Sequence, residues 1–380
     1  MSGDTRTNRV LSSRGMLAWV DAKLLSVCLT SVAMVILAGL VQVSFGTYSM
    51  TIEQAWRAVL DPTVIFDSRW LLNFLVGEEL MRFITGFQGE LPELANETLI
   101  VWSIRLPRVF VGILVGANLA ISGAIFQAVT RNELASPYIL GVSSGAGLAI
   151  LLTLVVFSGL APFLPLIAAG GGAVAFFLVY IIAWQNGTSP VRLVLAGVIV
   201  STVFQSLQTG IFFFADDLAV VQSAIAWTTG SLTGVDWEQV RLALPSTTLA
   251  VILAALGARQ LNVLLLGEQT ARSLGMSVER TRFLLSGVAI LAASAAIAAA
   301  GIVGFVGLIV PHVVRNLVGS DYKRLMVGCL FVGPALMVIA DVGARLAMAP
   351  VQVPVGIVTG LIGGPYFLYL MRKQQDLGDV

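Results

Sequence analysis

The sequence predicts an all-α integral membrane protein of about ten transmembrane helices, with both termini in the cytoplasm. Stretches that lack Asp, Glu, Lys and Arg for about 16 residues or more include 24–52, 109–130, 134–191, 193–215, 242–258, 283–314, 325–340 and 346–371. Only 11% of the chain is charged, 57% is hydrophobic, and the mean hydropathy is +0.91. A soluble domain carries about 25% charged residues, and a charge at mid-bilayer costs roughly 2.5–3.5 kcal/mol. Finally, Lys and Arg gather in alternate loops, as short cytoplasmic loops do.

Residues 1–23 form a polar N-terminal segment with Arg6, Arg9, Arg14 and Lys23. Run 24–52 holds the first span. No small-residue cleavage site follows it, so a retained helix is expected. Segment 46–104 is the one large loop, and it is placed outside. Its aromatic and acidic mixture (Trp56, Trp70, Phe74, Trp102, Glu78, Glu79) suits short amphipathic helices on the membrane surface or a contact surface for an external partner. Asn96-Glu97-Thr98 is a glycosylation sequon on that side. Run 109–130 is the second span. Run 134–191 is too long for one helix and bends at Ser158–Pro162 and Pro165, giving the third and fourth.

Runs 193–215 and 242–258 are the fifth and sixth spans, joined by an outer loop with Asp216, Asp217, Asp236 and Glu238. Run 283–314 breaks at Gly301 and Gly304 into a full span and a short helix over 305–317. The ninth span is 325–340 extended a turn past Asp341, and the tenth is 346–371. Arg272, Arg280, Arg282, Arg315, Lys323, Arg324, Arg372 and Lys373 then share the inner side with the N-terminus. The whole of 1–380 reads as one membrane domain.

Several chemistries are excluded by what the residues lack. The net charge of +1 points to no nucleic-acid partner. Cys28 and Cys329 sit in apolar runs and read as small buried hydrophobes. His312, the single histidine, has no Cys, Asp or Glu beside it in sequence, so no metal site is expected; it reads as a backbone hydrogen-bonder or helix-end marker. No nucleophile–base pair, carboxylate dyad or redox motif appears, so the chain is not read as an enzyme and no cofactor is expected. With three lysines and no G-x-x-x-x-G-K-[ST] loop, it cannot bind ATP in that manner.

Three groups of residues remain. On the inner face, loop 266–284 carries Gly267, Glu268, Ala271, Arg272, Leu274 and Gly275, spaced as a short helix closed by glycine. A second short helix through Arg280 and Arg282 is expected after it. On the outer face, Arg105 and Arg108 bracket Leu106-Pro107, and Arg345 ends the ninth span. By themselves these arginines read as snorkelling to phosphates or capping helix carbonyls. In the fifth span, Ser201, Gln205 and Gln208 share one helical face. That face turns toward protein hydrogen bonds or a wet pathway. Before it, Asn186-Gly187-Thr188-Ser189-Pro190 is a turn. Glycines at 112 and 116, 141 and 145, and 356, 360 and 364 allow close helix contact, within one subunit or between two.

Two long segments are more specific than hydropathy: RLPRVFVGILVGANLAISGAIFQAVTRNELASPYILGVSSGAG from Arg105, and Gly267–Arg345 with GEQTARSLGMSVERTR, GIVGFVGLIVPHVVRNLVGSDYKRL and ADVGARLA. Together they resemble the iron-siderophore and cobalamin permease family (FecCD-type) of binding-protein-dependent ABC importers. The resemblance covers about 100–371 and implies a type II ABC importer permease fold. It further implies a second permease subunit, two ATP-binding subunits and an extracytoplasmic substrate-binding protein. By the same resemblance, Gly267–Arg280 couples to the ATPase, and Arg105, Arg108 and Arg345 dock the binding protein. Thr188 and Ser189 form the inner gate, and the fifth and tenth helices line the pathway. The implied cargo is a ferric siderophore, with cobalamin or haem as alternatives. An ion-coupled secondary transporter is the competing class. It usually needs ionisable residues at mid-membrane, and only Asp341 comes close, near an outer helix end.

Overall fold

The computed structural model describes residues 20–46, 48, 50–185, 187–215, 217–349 and 351–378, with side chains up to 369. Arg6, Arg9, Arg14, Asn186, Asp216 and the side chains of Arg372 and Lys373 therefore lie outside the described residues. Among the described residues every regular element is helical.

Helix α1 (Ala22–Ser44) leads into five short helices: α2 (Ile52–Val59), α3 (Pro62–Ile65), α4 (Ser68–Val76), α5 (Glu78–Thr85) and α6 (Asn96–Ile100). Local chemistry sets their ends. Thr51 and Gln54 form a reciprocal capping box on α2, and Asp61 caps α3 with Pro62 in its first turn. Asp67 caps α4, and Gly86, in the left-handed region, stops α5. The expected short helices are thus present, but part of their aromatic set turns inward. Phe74 stacks between Trp70 and Trp102 at 5.4 and 5.5 Å, and lies 6.0 Å from Trp237. The Trp237 indole donates to Trp102 O at 2.5 Å, and the Trp102 indole to Ala58 O at 3.0 Å. These contacts fasten α2–α6 as a cap over one end of the bundle. Phe66 and Phe83 stay on its outside.

A π-turn at Val101–Arg105 carries the chain from α6 into α7 (Leu106–Thr130). The rest are α8 (Val142–Leu151, prolonged by a π-turn to Val156), α9 (Leu164–Ala183), α10 (Pro190–Phe212), α11 (Leu218–Thr229), α12 (Trp237–Leu265), α13 (Glu268–Ser273), α14 (Val278–Ala300), α15 (Val306–Val318), α16 (Tyr322–Ala347) and α17 (Val355–Gly378). Among the described residues, seven helices are long and apolar enough to cross a membrane. Four shorter apolar helices, Val142–Val156, Leu218–Thr229, Val306–Val318 and Val355–Tyr369, accompany them.

Each expected span falls on a helix, and the breaks at 158–163 and 301–304 are where the sequence put them, whereas Pro165 makes no bend of its own and sits in the first turn of α9. Two expectations need correction. The stretch after Asp217 is not all loop: α11 is an apolar helix capped by Asp217 and ended by Gly230. Its 12 residues rise only about 18 Å, too short to register as a span. The second short helix through Arg280 and Arg282 does not exist separately. No glycine or proline interrupts 278–286, so those residues are the opening turns of α14.

Helix α7 is the axis of the bundle, packed against α12, α14, α15 and α16. Glycine lets it approach its neighbours closely. A side chain on Gly116 would strike the backbone at Gly333 of α16, and one on Gly145 would strike Gly171 of α9. Those glycines therefore serve packing within this one chain. Two polar side chains of α7 bond across helices: Asn118 donates to Thr247 Oγ1 at 2.6 Å, and Ser122 to Ala289 O at 2.7 Å. Cys28 and Cys329 are free thiols, half-buried and buried respectively.

Candidate functional site

At the end of the bundle opposite the cap, α12 stops and Gly267, at φ +98°, turns the chain into α13. Ala271 is fully buried and anchors α13, while Arg272 and Leu274 face outward. Gly275, at φ +80°, then reverses the chain, and Met276 N closes the turn on Ala271 O at 3.0 Å. Thus α13 is a short shelf, seated by one alanine and exposed along its outer side. Arg280 is exposed on the first turn of α14.

Behind this shelf lies a polar cluster that joins three segments. Arg282 of α14, only 1% exposed, donates through Nη2 to Glu268 of α13 at 2.7 Å. Its Nη1 reaches Thr188 O at 2.5 Å, Thr188 Oγ1 at 3.1 Å and Glu279 Oε1 at 3.3 Å. Glu279 in turn accepts from Thr188 N at 3.0 Å and Thr188 Oγ1 at 2.7 Å. Thr188 is therefore buried, at 3% exposure. Ser189 is the N-cap of α10 and accepts from Arg192 N at 3.2 Å. Arg192 also donates to Gly187 O at 2.7 Å, which fixes the turn. The sequence singled out Glu268, Thr188 and Ser189. It gave Glu279 no role, and Arg282 only as part of the loop. An acid and a base three residues apart at the head of an apolar run were the available signal.

The polar face of α10 divides. Ser144 donates to Ser201 Oγ at 3.3 Å, and Gln208 donates to Ser144 O at 2.9 Å, so both side chains hold α10 to α8. Gln205 is exposed. Thr202, Ser206 and Thr209 are exposed too, and each returns its hydroxyl to a carbonyl of its own helix. The open side of α10 also carries Leu195, Ile199, Val203 and Leu207.

At the cap end the three arginines converge, but not as an exposed patch. Arg108 clasps Asp341 of α16 through Nε and Nη2, both at 2.8 Å, and reaches Gln352 at 2.7 Å. Gln42 of α1 donates to the same carboxylate at 2.5 Å. Arg105 donates to Val43 O and, at 2.8 Å, to Tyr48 O. Arg105 and Arg108 are 2% and 6% exposed, so their guanidinium groups point into the protein; Arg345, bonded to Gln42 O at 3.1 Å, keeps partial exposure. Burial in a low-dielectric setting requires such pairing. Sequence spacing could not reveal that Asp341 closes on Arg108.

Between α11, α15, α17 and the loop after α7 lies a cavity of about 540 Å3. Its wall is apolar and hydroxylic, with Tyr138, Thr228, Thr229, Phe305 and Phe367, and no charged side chain lines it. Phe305 adopts φ +66° and lies against Gly363 of α17. Nearby, His312 has an acidic neighbour that sequence proximity did not show: Glu133 Oε2 is 3.6 Å from its Nδ1, and Arg315 pairs with the same carboxylate at 3.3 Å. Among the described residues no group of three His, Cys, Asp or Glu could hold a metal.

Residues 34–373 match the FecCD transport family. The chain belongs to that family. This FecCD permease is 39% identical, over 73% of its length and 85% of the relative's, to the iron(3+)-hydroxamate import system permease protein FhuG of Bacillus subtilis (strain 168). It is 43% identical to the cobalamin import system permease protein BtuC of Halobacterium salinarum, over 77% and 78% of the two chains. It is 33% identical to the ferric enterobactin transport system permease protein FepG of Escherichia coli (strain K12), over 94% and 98%. A solved structure of a metal-chelate type ABC transporter in an inward-facing conformation superposes with a TM-score of 0.74 at 25% identity. That match covers 92% of this FecCD permease and 99% of the other chain. The protein is a multi-pass permease of a prokaryotic cell membrane, not itself an enzyme, and its family works with ATPase and binding-protein partners.

Proposed function

We propose that this chain is the membrane subunit through which a binding-protein-dependent ABC importer admits a ferric siderophore-type chelate. Cobalamin or haem is the alternative cargo. The observation that carries the reading is α13: a short shelf, exposed outside and bonded inside to the head of α10, in a chain with no phosphate loop of its own. In this reading Gly267, Glu268, Ala271, Arg272, Leu274, Gly275 and Arg280 receive the ATPase. The assembly contains two ATP-binding subunits and a second copy of this chain. The open side of α10, with Gln205, faces the pathway, and Ser201 and Gln208 hold its wall to α8. Thr188 and Ser189 stand at the inner end. Arg345 meets the extracytoplasmic binding protein, and Arg105 and Arg108 hold the surface from beneath. Both termini are cytoplasmic.

The test is reconstitution. The chain, the ATPase and the binding protein are placed in proteoliposomes, and uptake of a ferric hydroxamate chelate, cobalamin and haemin is compared. ATP-dependent uptake of the ferric chelate alone is expected. Uptake that needs no ATPase, but follows an ion gradient, would sink the proposal.

A further inference from the structure

Arg282 is a cation that nothing outside the protein can reach, yet it is bonded on both sides. Its Nη2 holds Glu268 at the start of α13, and its Nη1 holds the carbonyl and hydroxyl of Thr188 at the head of α10. The guanidinium is planar and its donors keep a fixed spacing. Glu279, one turn away on the same helix, grips Thr188 from the other side by its backbone N and its hydroxyl. Thr188 thus has four polar contacts with α14, and α14 has an ion pair with α13.

From this geometry we propose that Arg282 and Glu279 form a rigid transmission link. A displacement of α13 carries the Thr188 turn, and with it the head of α10, as one body. The inference rests on the reading of α13 as the ATPase seat, and assigns to that seat the positioning residues that pass its motion inward. The alternative motion strips a buried guanidinium of its shorter carboxylate bond, to Glu268 at 2.7 Å, and leaves it only Glu279 at 3.3 Å, which a low-dielectric site disfavours. Arg272 pairs with Glu268 at 3.8 Å within the same helix and is 63% exposed, so that pair does not tie α13 to α14.

The test uses the assembled complex in proteoliposomes with a ferric hydroxamate chelate as probe. Arg282→Lys keeps the charge but supplies one ammonium where two arms are needed. Glu279→Gln keeps the shape and one acceptor but loses the charge. Both complexes should assemble and hydrolyse ATP, while chelate imported per ATP falls about tenfold, within the usual span of coupling between sites. Spin labels at Val191→Cys and Ser273→Cys, both exposed positions, report the link directly. Their separation should stay constant across nucleotide states with Arg282 intact and become state-dependent in Arg282→Lys.

Unchanged import per ATP in both variants would overturn the proposal. So would a 191–273 separation that varies as much with Arg282 present. Failure of both variants to assemble would also overturn it, since the cluster would then only hold the fold. If the unaltered complex shows no ATP-driven uptake, it is the importer reading that fails, not the link.

Discussion

Arg108 and Asp341 meet 2.8 Å apart across the contact of α7 with α16, with side chains 7% and 3% exposed. The pair is bidentate, and Gln42 and Gln352 each add one further hydrogen bond to it. Removing one partner strands the other. Asp341→Ala should cost roughly 3–5 kcal/mol of stability. Unfolding in mixed micelles measures this. The double variant Arg108→Met with Asp341→Leu should cost less than the two single changes added together.

Arg345 is the outer arginine that retains access to solvent. Arg345→Glu should slow association with the binding protein, most clearly at low salt, because rim charges act mainly on encounter. Membrane expression should stay normal. Association rates that match the unaltered protein at low ionic strength would remove Arg345 from the docking surface.

Glycine positions should divide by what surrounds them. Gly145→Val drives a side chain into Gly171 and Ala175, an overpacking cost of about 1–3 kcal/mol. Gly287 has no neighbour within 4 Å of an added methyl group. Gly287→Ala should therefore gain up to about 1 kcal/mol through helix propensity. Thermal unfolding of the two variants checks both signs.

Cysteine scanning of α10, in a background lacking Cys28 and Cys329, should separate its two roles. Gln205→Cys should react with a water-soluble thiol reagent and Ser201→Cys should not, since Ser201 is buried against Ser144. Equal reactivity at both positions would mean that α8 does not seal that face.

The cap should lose part of its stability in acid. Burial pushes the Asp61 carboxyl up, but hydrogen bonds from Thr63 and Thr98 outweigh it and hold it below its ordinary 3.8. The Arg69 side chain holds Asp67 down likewise. A depressed carboxyl binds protons less readily when folded. Its stabilisation is complete above the unfolded value and lost as pH falls through the folded one. Tryptophan fluorescence of the cap should change progressively as pH falls through the region of 3.8 and below, and Thr98→Ala should move that change upward.

The spans were legible because a bilayer punishes charge, so charge-free runs mark helices whatever their neighbours. The breaks at Pro162, Gly301 and Gly304 were legible because backbone geometry is local. Helix α11 escaped although residues 218–235 carry no charge: Gly230 and Gly234 shorten the helix to 12 residues, and it packs against α8 and α17. The site was legible in part. Glu268 and Thr188 stood out by their place in loops, whereas Arg282 joins them across separations of 14 and 94 residues. No spacing rule spans such distances. The outer arginines were visible, but their burial depended on Asp341 and on the carbonyls of α1.

The C-terminal end of α11 is stitched to its neighbours by main-chain atoms. Ile302 N donates to Trp227 O at 2.9 Å, Ser231 N to Ala300 O at 2.8 Å and Gly356 N to Gly230 O at 3.2 Å. Three helices that are remote in sequence thus share a seam to which side-chain identity contributes nothing. Such a seam is indifferent to drift in the flanking residues, so the cavity wall at Thr228, Thr229 and Ile357 can change without loosening it. Only Gly230, Gly301 and Gly356, where an added methyl group would meet backbone, are barred from change.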